Sequence, residues 1–291
     1  MKTLIIGGGY LGQRLAQRYS LKSNIDIITR SHEKQLLFKN LGYKHFTRDI
    51  TNSTFNFSMK GYELVILNAA VTVDIKKKFA KEWLYVQGTK HVLNQLKQSK
   101  FMGKLIIIGS TSAIPNESVI TKSSDQGHLY PPVNEKMLMA FTGDYDNSNY
   151  RQFLLWKEQR TQCSFPIILL LSAGIYGPER IPGQKVIMGL RKTSRNPQSW
   201  INFIHIDDLT RAIFFLDEKC QSSELFFLSD GHPLKIQEYY DILTDKIKMP
   251  RVEFTGNNNS GFGKRVDNQK LLKQGFLLKH PFYRVPSRAV L

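Results

Sequence analysis

The sequence predicts an α/β fold with a doubly wound parallel sheet, and three observations support this. An apolar run with β-branched residues, 2–6, predicts a short buried strand, which three consecutive glycines end. A helical pattern follows at once, so that strand, turn and helix come in immediate succession. Short apolar runs and helical patterns then alternate as far as residue 171. Such alternation implies parallel strands joined by right-handed crossovers.

Taken in order, the pattern assigns each element. Strands are predicted at residues 2–6, 25–29, 45–50, 63–67, 105–108, 166–171, 200–204 and 225–228. Helices are predicted at residues 11–19, 33–41, 79–98, 149–162, 209–218 and 236–246. Two proline-containing stretches, 114–132 and 180–199, interrupt the pattern. The first is expected to be a long functional or disordered loop, and the second a basic excursion on the substrate side.

A glycine motif lies at the junction of the first strand and the first helix. Gly7, Gly9 and Gly12 have the spacing Gly-x-Gly-x-x-Gly, with Tyr10 and Leu11 before the last glycine. One glycine turns the chain, one lets the backbone approach a pyrophosphate, and one lets helix and strand pack closely. The helix N-terminus adds free N–H groups and a positive dipole end. We predict a dinucleotide site here; the alternative is a purely structural glycine turn.

The end of the second strand indicates which dinucleotide is bound. An NAD-preferring site carries an acidic residue about 20 residues beyond the glycine motif, where it bonds the ribose 2′-hydroxyl. This chain has Arg30 and Ser31 at that position. A guanidinium forks onto a 2′-phosphate, and a serine hydroxyl can add a hydrogen bond. The sequence therefore favours NADP over NAD, with an exposed strand-end arginine as the alternative.

Two further strand ends offer candidate cofactor contacts. Asp49 and Ile50 end the third predicted strand, and Asp49 is a candidate adenine contact, although such an aspartate is as often a turn or cap residue. Asn68, Ala69 and Ala70 follow the fourth strand. Small residues there would let a cofactor lie across the carboxyl ends of the strands.

Composition narrows the class of protein. The chain has 291 residues, of which 41% are hydrophobic and 22% charged, values typical of a soluble globular protein. Because no apolar run approaches ~20 residues, no membrane partner is expected. The first strand leads straight into the glycine turn, which predicts that no signal peptide is present. Cys163 and Cys220 are far apart, which predicts free thiols in a reducing cytoplasm.

The net charge of +17 raises the question of an acidic partner. The lysines are scattered, however, and the one tight run, residues 76–78, has no nucleic-acid motif beside it. A solvated basic surface with a phosphate-rich ligand is therefore favoured over nucleic acid. We find no cluster of His, Cys and Asp with zinc spacing, and so predict no metal site.

Several motifs in order give the chain a resemblance to a known family. They are Gly7–Gly12, Asp49–Ile50, Asn68–Ala70, Val86-x-Gly88–Thr89, Ser110–Ser112, Ala173–Pro178 and Phe203–Asp208. In this order the chain resembles the extended short-chain dehydrogenases/reductases, of the NAD-dependent epimerase/dehydratase type, from Leu4 to about Gly275. The glycine spacing departs from the common GxxGxxG of that family and is similar to an atypical branch.

The resemblance implies a catalytic set of a serine, a tyrosine and a lysine. Ser110 matches the serine, and Tyr145 is the best match to the tyrosine of the Tyr-x-x-x-Lys motif. The lysine position then holds Asn149. A neighbouring ammonium stabilises a phenolate, whereas an asparagine brings no charge, so we expect a slower general base or a different one. Tyr130 and Tyr150 are alternatives, but neither has a lysine four residues later.

The segment after the sixth strand carries further implied contacts. The resemblance implies that Gly174 and Ile175 contact the cofactor. Where the family often has an arginine, this chain has Leu171. Tyr176 keeps the Tyr-Gly-Pro turn of the family, and we weigh a packed aromatic equally with a substrate contact.

His205 invites a catalytic assignment, but in the resemblance it lies in a structural turn before a helix. Asp207 or Asp208 is expected to cap that helix.

The domain organisation implied is a Rossmann-type NAD(P)-binding domain of residues 1–172, to which 201–228 return. Residues 173–200 and 229–291 form a smaller substrate-binding part. The leading function is an NADP-dependent oxidoreductase or epimerase, with a small hydroxyl- or carbonyl-bearing substrate such as a nucleotide sugar. The alternative is a redox-sensing or scaffold protein that binds NADP(H) without turnover. The sequence leaves a homodimer open.

Overall fold

The computed structural model describes residues 1–70, 81–120, 131–184, 186–187, 192–256 and 263–285. The chain divides into two compact units. Unit 1 comprises Met1–Ala113, Asp146–Leu171 and Ala212–Leu225, and unit 2 comprises Ile114–Tyr145, Ser172–Arg211 and Phe226–Leu291. The finer domain boundaries expected from the sequence stay a prediction.

The described strands are β1 Lys2–Ile6, β2 Asn24–Thr29, β3 Lys44–Thr47, β4 Leu64–Leu67, β5 Lys104–Ser110, β6 Ile167–Ser172, β7 Gly174–Tyr176, β8 Lys192–Thr193, β9 Trp200–Ile201, β10 Phe203–His205, β11 Leu225–Leu228, β12 Leu234–Lys235 and β13 Glu253–Phe254. The described α-helices are α1 Tyr10–Tyr19, α2 Gln35–Asn40, α3 Thr89–Gln98, α4 Glu117–Ile120, α5 Glu135–Ala140, α6 Ser148–Gln162, α7 Ile206–Lys219, α8 Ile236–Ile247 and α9 Gln269–Lys273. A π-helical stretch, Trp83–Gly88, precedes α3.

The central sheet has seven strands in the order β11-β6-β5-β4-β1-β2-β3. The pairs of β1 with β2 and β4, of β2 with β3, and of β4 with β5 are parallel. From β1 the sheet continues through β2 and β3 on one side and through β4, β5, β6 and β11 on the other. This is the topology of a doubly wound Rossmann-type sheet. The fold class predicted from the sequence is therefore confirmed.

The strands of unit 1 are buried because their side chains are apolar on both faces. Every residue of β4 is buried, and so are Leu4, Ile5 and Ile6 of β1, as expected for parallel strands covered on both sides. Trp156 of α6 is fully buried, and its indole N–H donates to the carbonyl of Ile167 at 2.8 Å.

In unit 2, an aromatic cluster forms the core. Tyr176, Phe203, Tyr239 and Tyr283 pack with ring centroids 4.7–6.1 Å apart. These rings come from β7, β10, α8 and the C-terminal segment. Distant parts of the chain are therefore joined by aromatic packing rather than by a second large sheet.

Some predicted elements differ from the structure. The predicted strand 200–204 is two short strands, because the Asn202 side chain bonds the carbonyl of Lys264 and the N–H of Val266, each at 2.9 Å. The third strand ends at Thr47 rather than residue 50. The predicted loop 114–132 contains the short helix α4, whose buried Glu117 forms an ion pair with Arg265 at 3.0 Å.

Two expectations concern residues outside the described part of the chain: the lysine run 76–78 and the alternative tyrosine at position 130. Across the part of the chain that the structure describes, we find no helix with the length and apolar composition needed to cross a bilayer.

Candidate functional site

The glycine turn between β1 and α1 is built as its spacing predicts. Gly7 has a φ of +114°, and a Cβ there would lie 2.6 Å from the carbonyl oxygen of Asn68. A Cβ on Gly12 would lie 1.9 Å from the carbonyl oxygen of Gly7, so only glycine lets the helix approach the strand this closely. Sequence reasoning missed Gly8, where a Cβ would lie 2.6 Å from the ring of Phe38. The only sequence signal for it was its place in the middle of three consecutive glycines.

Gly9 differs from its neighbours, because the position of a Cβ there is open space. It is the N-cap residue of α1, it is exposed, and no side chain caps the helix. Tyr10 and Leu11 then begin the helix, whose first turn has no acidic residue. Among the described residues, no side chain therefore caps the start of α1, and a helix start of this kind is suited to binding an anionic group.

The end of β2 carries the residues predicted to select the dinucleotide. Arg30 is exposed, and among the described residues it makes no hydrogen bond or ion pair. The Ser31 hydroxyl accepts the N–H of Glu33 at 3.1 Å, capping a short 3₁₀ turn. Lys34 ends that turn, and its ammonium donates to the carbonyl of Gly8 at 2.9 Å. Sequence reasoning missed Lys34; the signal was a lysine four residues after the strand-end arginine.

The Asp49 side chain makes hydrogen bonds within its own turn. Its carboxylate accepts the N–H and the hydroxyl of Thr51, at 2.9 and 2.8 Å, and so forms a turn after β3. The carbonyl of Ile50 bonds the imidazole of His91 at 2.8 Å. A Cβ on Gly88 would lie 3.0 Å from the Ile50 side chain, which explains a glycine at that position.

The segment after β4 reaches the glycine turn directly. The Asn68 side-chain amide donates to the carbonyl of Gly7 at 3.3 Å. Ala69 is half-buried and Ala70 is exposed. The structure thus brings Asn68 together with the glycine turn in unit 1, and the two small alanines follow it.

Two of the three predicted catalytic residues lie in unit 1. The Ser110 hydroxyl, at the end of β5, accepts the N–H of Ser112 at 3.1 Å. Asn149 lies in the first turn of α6, where its N–H donates to the cap residue Asn147 at 2.9 Å. The Oδ1 atom of Asn149 is buried and has no hydrogen-bond partner among the residues that the structure describes. Buried polar atoms are normally paired, so this orphaned oxygen is a place for a donor from a ligand.

The remaining predicted residues belong to unit 2. Tyr145 is half-buried and precedes α6 by three residues. Gly174 and Ile175 lie on β7, where the N–H of Gly174 donates to the carbonyl of Asn202 at 2.9 Å. The Tyr176 hydroxyl donates to the carbonyl of Phe282 at 3.0 Å, and burial raises its pKa above the ordinary value. Tyr176 is therefore a packed core aromatic.

The predicted capping by Asp207 or Asp208 is wrong, because α7 begins at Ile206 and both residues lie in its first turn. His205 caps the helix instead: its Nδ1 accepts the N–H of Asp207 at 3.2 Å. The buried Asp208 carboxylate accepts the backbone N–H groups of Lys279 and His280, at 2.9 and 2.7 Å to the nearer oxygens.

The architecture of the chain is similar to that of several solved structures. No protein-family model matches the chain, and no curated protein matches it. Among solved structures, a functionally unknown conserved protein from Silicibacter pomeroyi is similar, with 16% identity, 98% of this chain and 96% of that chain covered, and a TM-score of 0.72. The UDP-glucose 4-epimerase of Thermotoga maritima, solved with UDP-glucose, has 13% identity, 94% and 92% coverage, and a TM-score of 0.72.

The dTDP-glucose 4,6-dehydratase of Bacillus anthracis, solved with NAD, has 14% identity, 96% and 92% coverage, and a TM-score of 0.72. These similarities extend over nearly the whole of both chains. The resemblance inferred from the motifs is thus confirmed at the level of the fold: the chain has the fold of the nucleotide-sugar epimerases and dehydratases of the extended short-chain dehydrogenase/reductase type.

Proposed function

We propose that the protein is an NAD(P)-dependent oxidoreductase of the epimerase/dehydratase type that acts on a small hydroxyl- or carbonyl-bearing substrate. The observation that carries this proposal is the glycine turn at the start of α1. Gly7 has a positive φ and Gly12 has no room for a Cβ, while the position of a Cβ on Gly9 is open and no side chain caps α1 among the described residues. Such a turn binds the pyrophosphate of a dinucleotide.

The residues of unit 1 fit a nicotinamide dinucleotide at several points. The glycine turn would hold the pyrophosphate, and the segment from Asn68 to Ala70 would line the cofactor. The orphaned Oδ1 of Asn149 would accept a hydrogen bond from a ribose hydroxyl. Asp49 and Ile50 would flank the adenine, and in unit 2 we propose Gly174 and Ile175 as contacts.

We propose NADP rather than NAD as the cofactor. The position that holds an acidic residue in NAD-preferring sites holds Arg30 and Ser31, and the Arg30 guanidinium has no partner among the described residues. The ammonium of Lys34 lies against the glycine turn through its bond to Gly8. Two cations near the end of β2 favour a ribose that carries an additional phosphate.

The chain's own residues would bind and protonate the substrate. The cofactor, when bound, supplies hydride transfer. Ser110 would hydrogen-bond the reacting oxygen of the substrate, and Tyr145 would donate or accept its proton. A free tyrosine has a pKa of about 10 and is a poor base at neutral pH. Because Asn149 replaces the usual lysine, no ammonium from that position stabilises the phenolate, and the proposed reaction is slow or uses a different base.

The substrate class follows from the similar structures. The epimerase of Thermotoga maritima was solved with UDP-glucose, and we propose a nucleotide sugar for this chain. The net charge of +17 suits a substrate that carries phosphates.

Asn149 also favours a second candidate function. A protein that binds NADP(H) without turnover, as a redox sensor or scaffold, would not need the missing lysine. The two functions differ in a simple observation. A reductase consumes NADPH in the presence of its substrate, and an epimerase or dehydratase converts the sugar and regenerates the cofactor, whereas a sensor binds the dinucleotide tightly and does neither.

Calorimetric titration with NADPH and NADH tests the cofactor assignment. We expect NADPH to bind more tightly, and Arg30→Glu to weaken NADPH binding at least about tenfold while changing NADH binding little. Arg251→Ala is a matched control, because it removes a charge from an exposed arginine that pairs with Asp241 and Asp245. If neither dinucleotide binds to folded protein at millimolar concentration, the proposal is wrong.

A screen of nucleotide sugars followed by NADPH fluorescence tests turnover. We expect the Asn149→Lys variant to react faster than the natural protein, and Ser110→Ala to abolish any reaction. Dinucleotide binding with neither NADPH consumption nor conversion of any sugar, in both the natural protein and Asn149→Lys, would favour the sensor.

A further inference from the structure

We propose that His205, Asp207 and His280 in unit 2 form a binding site for a divalent transition-metal ion such as Zn²⁺. One ligand atom from each residue lies within 4.8 Å of the others. The sequence showed no zinc spacing because His280 is far from the other two along the chain, and the fold brings it back to the start of α7.

The distances between the ligand atoms of the three residues are close to those that an ion bound between them would need. The Asp207 carboxylate lies 3.7 Å from Nδ1 of His205 and 3.9 Å from Nε2 of His280. Both distances are too long for a hydrogen bond. Tetrahedral ligands on zinc, with bonds near 2.1 Å, lie about 3.4 Å apart. The two carboxylate–imidazole distances would shorten by about 0.3 to 0.5 Å on binding, and the two stacked imidazole rings would turn so that both ligand atoms face one ion.

The side chains of Asp207 and His280 are available for coordination, whereas His205 would exchange an existing hydrogen bond for the ion. Among the described residues, the Asp207 carboxylate accepts no hydrogen bond, and the imidazole of His280 makes none. Nδ1 of His205 accepts the N–H of Asp207 at 3.2 Å, a long bond that coordination would replace. The two imidazole rings lie face to face, with centroids 3.7 Å apart and planes inclined by 28°.

The backbone holds these side chains in place. His205 is 8% exposed and ends β10, which pairs with β7. The buried Asp208 carboxylate accepts the backbone N–H of His280 at 2.7 Å and so anchors the C-terminal segment beside α7. Asp207 and His280 remain 56% and 37% exposed, so an ion can enter and keep a water ligand.

The ligand chemistry selects the kind of metal. Two imidazoles and one carboxylate suit Zn²⁺, Co²⁺ or Ni²⁺, whereas Mg²⁺ and Ca²⁺ prefer oxygen ligands alone. The ion would fasten the C-terminal segment to the start of α7, so its binding would raise the melting temperature of the folded protein. Because coordination requires deprotonated imidazoles, we expect binding to weaken from about pH 7.5 to about pH 5.5.

The test uses the full chain, without a histidine tag and treated with a chelator. Co²⁺ is titrated with visible absorption as the readout, and Zn²⁺ is titrated by calorimetry. We expect one equivalent to bind, with the melting temperature raised. His280→Ala and Asp207→Asn should each lower the affinity at least tenfold, and both exposed side chains can be removed without loss of the Asp208 anchor.

Two controls separate the proposed site from general histidine binding. His32→Ala removes a different exposed imidazole and should leave metal binding unchanged. His205→Asn keeps an N-cap acceptor for α7 but removes the ligand, so it should lose the metal, and thermal melting of the apo variant measures separately the stability lost with the buried ring. Absence of saturable binding, or unchanged binding in either His280→Ala or Asp207→Asn, would overturn the proposal.

Discussion

Asp230 is a carboxyl group that the fold of unit 2 buries without full compensation. It is 2% exposed. Its Oδ1 accepts the N–H of His232 at 3.0 Å, while Oδ2 is buried and has no hydrogen-bond partner in the described part of the chain. Burial raises the pKa of Asp230 from 3.8 to about 7, and the charge of Asp208 adds to the effect. The folded protein therefore holds a proton on Asp230 that the unfolded chain releases.

The sign of the pH dependence follows from this difference. Below pH 3.8 both states are protonated, and Asp230 has no effect on the pH dependence of stability. Between 3.8 and about 7 the folded state binds more protons, so the free energy of unfolding falls as the pH rises. Above the folded pKa the loss is complete. A pKa difference of about 3 at 1.4 kcal/mol each corresponds to about 4 kcal/mol.

The variant Asp230→Asn removes the ionisation and keeps the acceptor for His232. We expect it to match the natural protein near pH 4 and to be more stable by about 4 kcal/mol near pH 8. Urea denaturation of both proteins across this range measures the difference, and Asp144→Asn, at an exposed carboxylate, serves as the control. Parallel stability curves, or a variant less stable than the natural protein at pH 8, would refute the reasoning.

Three further predictions follow from other contacts. Gly12→Ala should disrupt the turn, because its Cβ would lie 1.9 Å from the carbonyl of Gly7; the loss of dinucleotide binding is measured by calorimetry and the loss of stability by thermal melting. Glu117→Gln should lower the free energy of unfolding in urea by about 3–5 kcal/mol, since the buried Arg265 loses its ion pair at 3.0 and 3.2 Å; a change below about 1 kcal/mol would contradict this. Lys34→Gln should weaken binding of both NADPH and NADH in calorimetry, because it removes a charge beside the glycine turn; unchanged affinity for both would show that this ammonium has only a structural role.

Local sequence patterns predicted most of unit 1. Alternating strands and helices depend on the apolar spacing of near neighbours, and the seven-stranded sheet with its order around β1 confirmed the fold class. The spacing of Gly7, Gly9 and Gly12 likewise predicted a turn whose close contacts the structure contains. The predicted strand 200–204 was wrong because of a contact that is remote in sequence. Asn202 interrupts that strand, since its side-chain amide bonds the backbone at Lys264 and Val266.

Sequence alone determined the strand–turn–helix start, the parallel α/β architecture and the presence of Arg30 in place of an acidic residue. Each of these depends on residues close together in the chain. Only the tertiary structure decided that His280 returns to His205 and Asp207, and that the fold buries Asp230. Burial and ligand geometry depend on contacts between segments that are far apart in sequence. The local periodicity of the sequence does not show which of those segments meet.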